Sequence, residues 1–193
     1  MSGKIKSTIE LAMEKAAKLP KLTKQEIRQQ QEKAYGPRGR AIAGRFLAAD
    51  LAEGDLEGEL SGYGGEQGEI VREAFLEEMC QALNLEDAEA TARAFEGIRA
   101  LVGDDHVEEA SRRVRGNLGD YQEQRRREFA RVEAAEAEVL RELGVSGSAI
   151  RLNMEQSQRW RETRSQLLER FRPSLDEIRR ELSDHLRRVI SGS

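Results

Sequence analysis

Two histidines, one cysteine, a glycine-rich run and an arginine triplet are the residues of this chain whose types could do chemistry. His106 has Glu109 three residues on, and His185 has Glu181 four residues back, so helical spacing would put each pair on one face. A dinuclear carboxylate site in a helical bundle needs two Glu-x-x-His motifs and two further inward glutamates. Neither histidine has a glutamate three residues before it. Both are expected to be structural or solvated, and no metal site follows. Cys80 is alone, which excludes an internal disulfide, and it sits in an apolar helical stretch that suits a structural thiol. No Ser/His/Asp or Cys/His set is evident, and the carboxylates are scattered over helix faces. No catalytic residue and no cofactor are expected.

Gly62-Tyr63-Gly64-Gly65-Glu66-Gln67-Gly68 has the glycine density of a phosphate-binding loop. That chemistry also needs a preceding strand, a following helix N-terminus and preferably a cation. Strand and lysine are missing and acids surround the run, so a flexible linker over 54–68 is expected. Arg125-Arg126-Arg127 could meet phosphates, but Glu123 and Glu128 flank it, and a solvated charged helix face is the simpler expectation.

The elements that must hold these residues are helices. Of 193 residues, 38% are hydrophobic and 35% charged, with three prolines and nine aromatics. Soluble proteins average ~25% charged, so this composition suits long solvated helices with a narrow apolar seam. Charge is ordered along the chain. Residues 1–33 carry seven Lys and one Arg against four Glu, residues 34–103 six Arg against fourteen acids, and residues 104–193 eighteen of each sign. No signal-peptide core and no bilayer-spanning apolar run occur, which makes the cytoplasm the default location.

Ser7-Thr8-Ile9-Glu10 and Thr23-Lys24-Gln25-Glu26 both have the pattern of a capping box. The first opens a short helix with Ile9, Ala12, Met13 and Ala16. The second opens a polar helix that Gly36-Pro37 is expected to stop or bend. Short apolar helices follow at 38–54, 69–83 and 88–102. Asp104-Asp105 then opens a long helix to Leu143, with Val107, Ala110, Val114, Leu118, Tyr121, Phe129, Val132 and Val139 on one face. Gly116 and Gly119 mark a bend or close-packing point in it. After a connector at 144–152, a second long helix carries Trp160, Leu167, Phe171, Leu175, Ile178, Leu182, Leu186 and Val189 at steps of three, four and seven. Arg164 is a weak member of that stripe.

Two helices of nearly equal length, each ~55 Å at 1.5 Å per residue, joined by a short connector, fold most simply as an antiparallel hairpin. Pro173 lies within the second stripe, and Ser174-Leu175-Asp176-Glu177 after it is itself a capping box. Because both halves share one face, a kinked continuous helix is expected over a break. The fold class is therefore all-α: an elongated, coiled-coil-like hairpin over 104–190, a short-helix cluster over 38–103, and a basic helical arm over 1–37.

Lys4-Ile5-Lys6-Ser7-Thr8-Ile9-Glu10-Leu11-Ala12-Met13-Glu14-Lys15 resembles the start of an uncharacterised family of small bacterial helical proteins. The resemblance extends to residues 38–47 and to the C-terminal helix with Phe171-Arg172-Pro173. It implies a bacterial cytoplasmic protein and no activity.

The function expected from these features is a non-enzymatic interaction or scaffold protein, such as an assembly or stalk-like component of a larger complex. It would use the eight stripe residues from Trp160 to Val189 as its interface, with a protein partner or self-association and no small-molecule ligand. The alternative is an adaptor that binds RNA or an anionic membrane surface through basic residues 1–33.

Overall fold

The computed structural model describes residues 23–144 and 152–192. The expected Ser7 capping box and its helix lie outside the described residues, as does the connector at 145–151. Among the described residues the chain is all-α, with six α-helices, one short 3-10 turn and no strand.

Helix α1 spans Lys24–Leu47 and starts at the expected capping box. The Glu26 amide donates to Thr23 Oγ1 at 3.2 Å, and the Thr23 amide donates to Glu26 Oε2 at 2.7 Å. The stop expected at Gly36-Pro37 is absent, because α1 runs on through both residues. Pro37 forfeits one amide donor, but the turns beyond it are anchored by Ile42, Ala43 and Phe46, each no more than 5% exposed. The division expected at residue 37 thus falls inside one continuous helix.

The flexible loop expected over 54–68 is also corrected. Residues Glu53–Ser61 form helix α2. Its glycines weaken it, but Leu56 and Leu60, four residues apart, bury one face completely or nearly so. Glu53 and Asp55 lie in the first turn, where negative charge suits the helix dipole. What remains of the loop is a turn at 62–64, and Gly65 takes φ +56°, a conformation glycine adopts without a β-carbon clash.

Helix α3 (Gly65–Ala82) is the centre of the body. Val71, Phe75 and Met79 are fully buried on it, and it packs against α1, α2, α4 (Ala88–Leu101) and the last helix. Thr91 of α4 ties the turn between α3 and α4. It accepts from the Asn84 amide at 2.8 Å, and its hydroxyl donates to the Asn84 carbonyl at 2.9 Å.

The two long helices are α5 (Asp105–Glu142) and α6 (Gln158–Ile190), the latter preceded by a 3-10 turn at Met154–Gln156. They form the expected antiparallel hairpin. Asp104 meets His185, Arg113 meets Glu181, Tyr121 meets Phe171, and Phe129 meets Trp160, so numbers rise on one helix as they fall on the other. α6 runs unbroken through Pro173, and the Ser174 capping box does not interrupt it. Apolar residues on both sides hold it in place: Leu167, Leu175 and Ile178 are at most 6% exposed. Gly116 and Gly119 are not a close-packing point, since a β-carbon on either would meet nothing within 4 Å.

Candidate interaction surface

The stripe on α6 is occupied within the chain. Trp160, Leu167, Leu175, Ile178, Leu182 and Leu186 are all buried, at 1–6% exposure. Phe171 is half-buried with its ring edge-on to Tyr121, at 5.8 Å between centroids. Val189 alone of the eight is exposed, at 45%. The stripe, expected to serve as an interface with a partner, is covered by α3 packing on α6 beside α5. Arg179 locks that contact, its guanidinium donating to the carbonyls of Gln81 and Leu83 at the C-terminal end of α3. Helix carbonyls there have no intrahelical donor, so a cation from the neighbouring helix satisfies them and suits the dipole.

Partway along the hairpin the seam turns polar. Glu86, in the turn between α3 and α4, accepts from Arg164 Nε at 2.6 Å and from the Tyr121 hydroxyl at 3.2 Å. Burial alone would raise the Glu86 carboxyl, but the Arg164 and Tyr121 hydrogen bonds and the charge of Arg125 hold it below the ordinary carboxylate value. Burial, reinforced by the Glu86 charge, pushes the Tyr121 phenol up. Arg125 Nε is buried here without a partner among the described residues. The arginine triplet is therefore split. Arg127 pairs with Glu123 on the exposed face, while half-buried Arg125 takes a seam position, contrary to the uniform solvated face expected. One sequence signal marked this layer: the apolar stripe on α5 skips from Tyr121 to Phe129, and the stripe on α6 falls to an arginine at 164. Glu86 carried no such signal, because nothing local to a turn tells which helices it will meet.

Outward of this layer the hairpin stands as an arm with its own small core. Val132, Met154 and Trp160 are buried together, edged by Phe129 and Leu152. The rings of Phe129 and Trp160 meet edge-on at 5.0 Å. Ser157 closes the base of α6 twice over, accepting from the Trp160 amide at 3.2 Å and donating to Glu136 on α5 at 3.0 Å. At 1.5 Å per residue the α5 side of the arm, from Arg125 to Leu143, extends about 27 Å. Near its end Val139 and Leu143 are 45% and 71% exposed.

At the opposite end of the hairpin the two histidines come together. Their rings stack at 4.4 Å between centroids and 19° between planes, and His185 Nε2 lies 2.6 Å from Asp104 Oδ2. Asp104 also caps α5 through the Val107 amide at 3.0 Å. Burial opposes ionisation of Asp104, but the Val107 amide and the His185 ring outweigh it and lower the carboxyl. Stacked rings direct their nitrogens along parallel planes, which does not converge on one tetrahedral ion. Among the described residues no group of three or more potential ligands is placed to hold a metal. Cys80 is buried, and burial together with the nearby Glu77 charge pushes its thiol up to about 12. No helix among the described residues is long and apolar enough to cross a membrane.

Compared with known proteins, the chain matches no family model, no curated protein and no solved structure.

Proposed function

We propose that this chain is a non-enzymatic interaction protein: a helical body that carries a two-helix arm as its working surface. The observation that carries the proposal is the end of that arm, where Val139 and Leu143 stand 45% and 71% exposed beyond a closed small core. Large apolar side chains at a projecting end are the kind of feature that a protein partner covers. Most of the α6 stripe is taken up inside the chain, so the binding role passes from that stripe to the arm. A cytoplasmic and bacterial setting, the latter implied by the family resemblance, belongs to the same proposal.

The test is affinity capture with crosslinking in the native host, comparing the natural chain with a Val139→Ser/Leu143→Ser variant. Both positions are exposed, so the variant keeps its fold. A partner that crosslinks to residues near 139–143 and is lost in the variant supports the proposal. A partner retained at full yield by the variant, or crosslinks confined to the helical body, overturns it.

A further inference from the structure

The glycine-rich run has a use in the fold other than a phosphate loop. A β-carbon on Gly68 would sit 2.4 Å from the carbonyl oxygen of Tyr63. The first turns of α3 therefore close directly over the main chain of the 62–64 turn, an approach that glycine permits. Tyr63 is fixed in place by this contact, and its ring packs on the core, as does that of Tyr35 on α1.

Arg38, three residues after Tyr35 on the same side of α1, lies over both rings. Its guanidinium carbon is 5.2 Å from the centre of the Tyr35 ring and 5.6 Å from that of Tyr63. Both distances are within the ~6 Å reach of a cation–π contact. The rings engage the face of the guanidinium and leave the N–H donors in its plane open. Arg38 is exposed and forms no ion pair or hydrogen bond among the described residues. Arg45, seven residues further along α1, is by contrast matched to Glu59 of α2 at 3.1 Å. A second unmatched cation stands close by. Arg72 of α3 is half-buried, has no partner among the described residues, and places Nη1 3.6 Å from where a β-carbon on Gly68 would be.

An arginine held in this way has already given up much of its rotamer freedom, so an anion bound to it orders little that is not ordered already. Its fork of N–H donors matches two oxygens of a carboxylate or a phosphate. The surrounding charge chooses between them. Residues 53–69 carry Glu53, Asp55, Glu57, Glu59, Glu66 and Glu69 and no cation. This field repels a polyanion such as RNA and disfavours a phosphate dianion more than a single carboxylate. Basic residues on either side of that carboxylate would be drawn in by the same field.

We propose that Arg38, clamped by Tyr35 and Tyr63, is the receptor for a single carboxylate in an otherwise basic segment of a protein partner, with Arg72 adding a second positive charge. This contact point lies on the helical body and is independent of the apolar end of the arm. Binding confined to the body would overturn the role of the arm and leave this one standing.

The arginine Nε–Hε resonances of the full chain, followed by NMR, test this with three probes: acetate, inorganic phosphate and the peptide acetyl-Lys-Gly-Asp-Gly-Lys-amide. Arg126, exposed on α5 and without an ion pair among the described residues, is the solvated reference. The Arg38 signal is expected to shift saturably with the peptide, at concentrations several-fold lower than acetate requires and several-fold lower than those that move Arg126. The peptide with Asn in place of Asp should leave it unmoved. Tyr63→Leu, with unchanged circular dichroism, should reduce the Arg38 response to that of Arg126. Arg38→Lys keeps the charge at an exposed position but lacks the fork, and the backbone amides at 62–68 should then stop responding to the peptide. Equal responses of Arg38 and Arg126 in the natural chain would make Arg38 an ordinary surface charge and overturn the proposal. Phosphate binding more tightly than the peptide, or acetate binding as tightly, would overturn the partner assigned to it.

Discussion

A β-carbon on Gly39 would sit 2.2 Å from the carbonyl oxygen of Val71, so α1 and α3 cross with their backbones in contact. The next nearest atom, the β-carbon of Ala74, would be 2.9 Å away. Neither can swing aside as a flexible side chain does. Gly39→Ala must therefore separate the two helices and disturb Ile42, Ala43 and Phe46. A loss of ~2–3 kcal/mol is expected, at the upper end of overpacking effects. Gly116→Ala and Gly119→Ala make the opposite case, since both positions face open space within α5. Each is expected to stabilise by ~0.5–1 kcal/mol through helix propensity. Urea midpoints of the three variants check the signs together. A neutral Gly39→Ala would refute the close crossing.

These glycines also show what was legible in the sequence. Long apolar stripes at helical spacing identified α5 and α6 and their antiparallel pairing, because each stripe is long enough to have one solution. Local spacing could not distinguish Gly39, which holds two helices together, from Gly116, which holds nothing, since the difference lies in what crosses each glycine. The same limit explains α2. Its glycines were visible, but Leu56 and Leu60 form a helix because a core awaits them, and that core is built from distant segments. The stripe from Trp160 to Leu186 was legible as one apolar helix face, but it was expected to serve a partner, and within this chain it is buried. Its occupant, α3, could not be read from periodicity alone.

Glu86 gives the chain a specific acid sensitivity. Its folded-state carboxyl lies below the ordinary value of 4.5, so its stabilising contribution is complete above that value and is lost as pH falls through the depressed one. Glu86→Gln is expected to cost ~0.5–1.5 kcal/mol at neutral pH, as its charge is removed from the partly exposed Arg164 and from the buried Tyr121 hydroxyl. The difference between variant and natural chain should shrink steadily below about pH 4.5. Denaturation curves from pH 7 to pH 3 measure this. A gap independent of pH would show that Glu86 acts through shape alone.

Trp160 is the keystone of the arm. Replacement by alanine empties its small core, a change that typically costs ~3–5 kcal/mol. The arm shares few contacts with the body, so the loss should appear as local opening. Amide exchange is expected to accelerate across 128–142 and 154–162 while Val71–Met79 of α3 keeps its protection. Uniform acceleration in both regions would mean that arm and body unfold as one.

Pro173 leaves the Glu169 carbonyl without its amide donor while standing on an exposed face of α6. Pro173→Ala restores that hydrogen bond and is expected to raise stability by ~1–3 kcal/mol. Thermal melting reads the change directly. Destabilisation would indicate that the packing of Tyr121 on Phe171 depends on the local geometry the proline imposes.

The Glu86–Arg164 layer has a further consequence for how such a chain can diversify. It fixes the alignment of α5 against α6 at one level, and the arm beyond it is held by its own small core of Val132, Met154 and Trp160, edged by Phe129 and Leu152, and by the Ser157–Glu136 hydrogen bond. One seven-residue unit added to each helix beyond Arg125 and Arg164 would keep the seam facing inward and lengthen the arm by about 10 Å. No contact of the body need change. The molecule is thus divided into a fixed mount and an extension whose reach can vary independently of it.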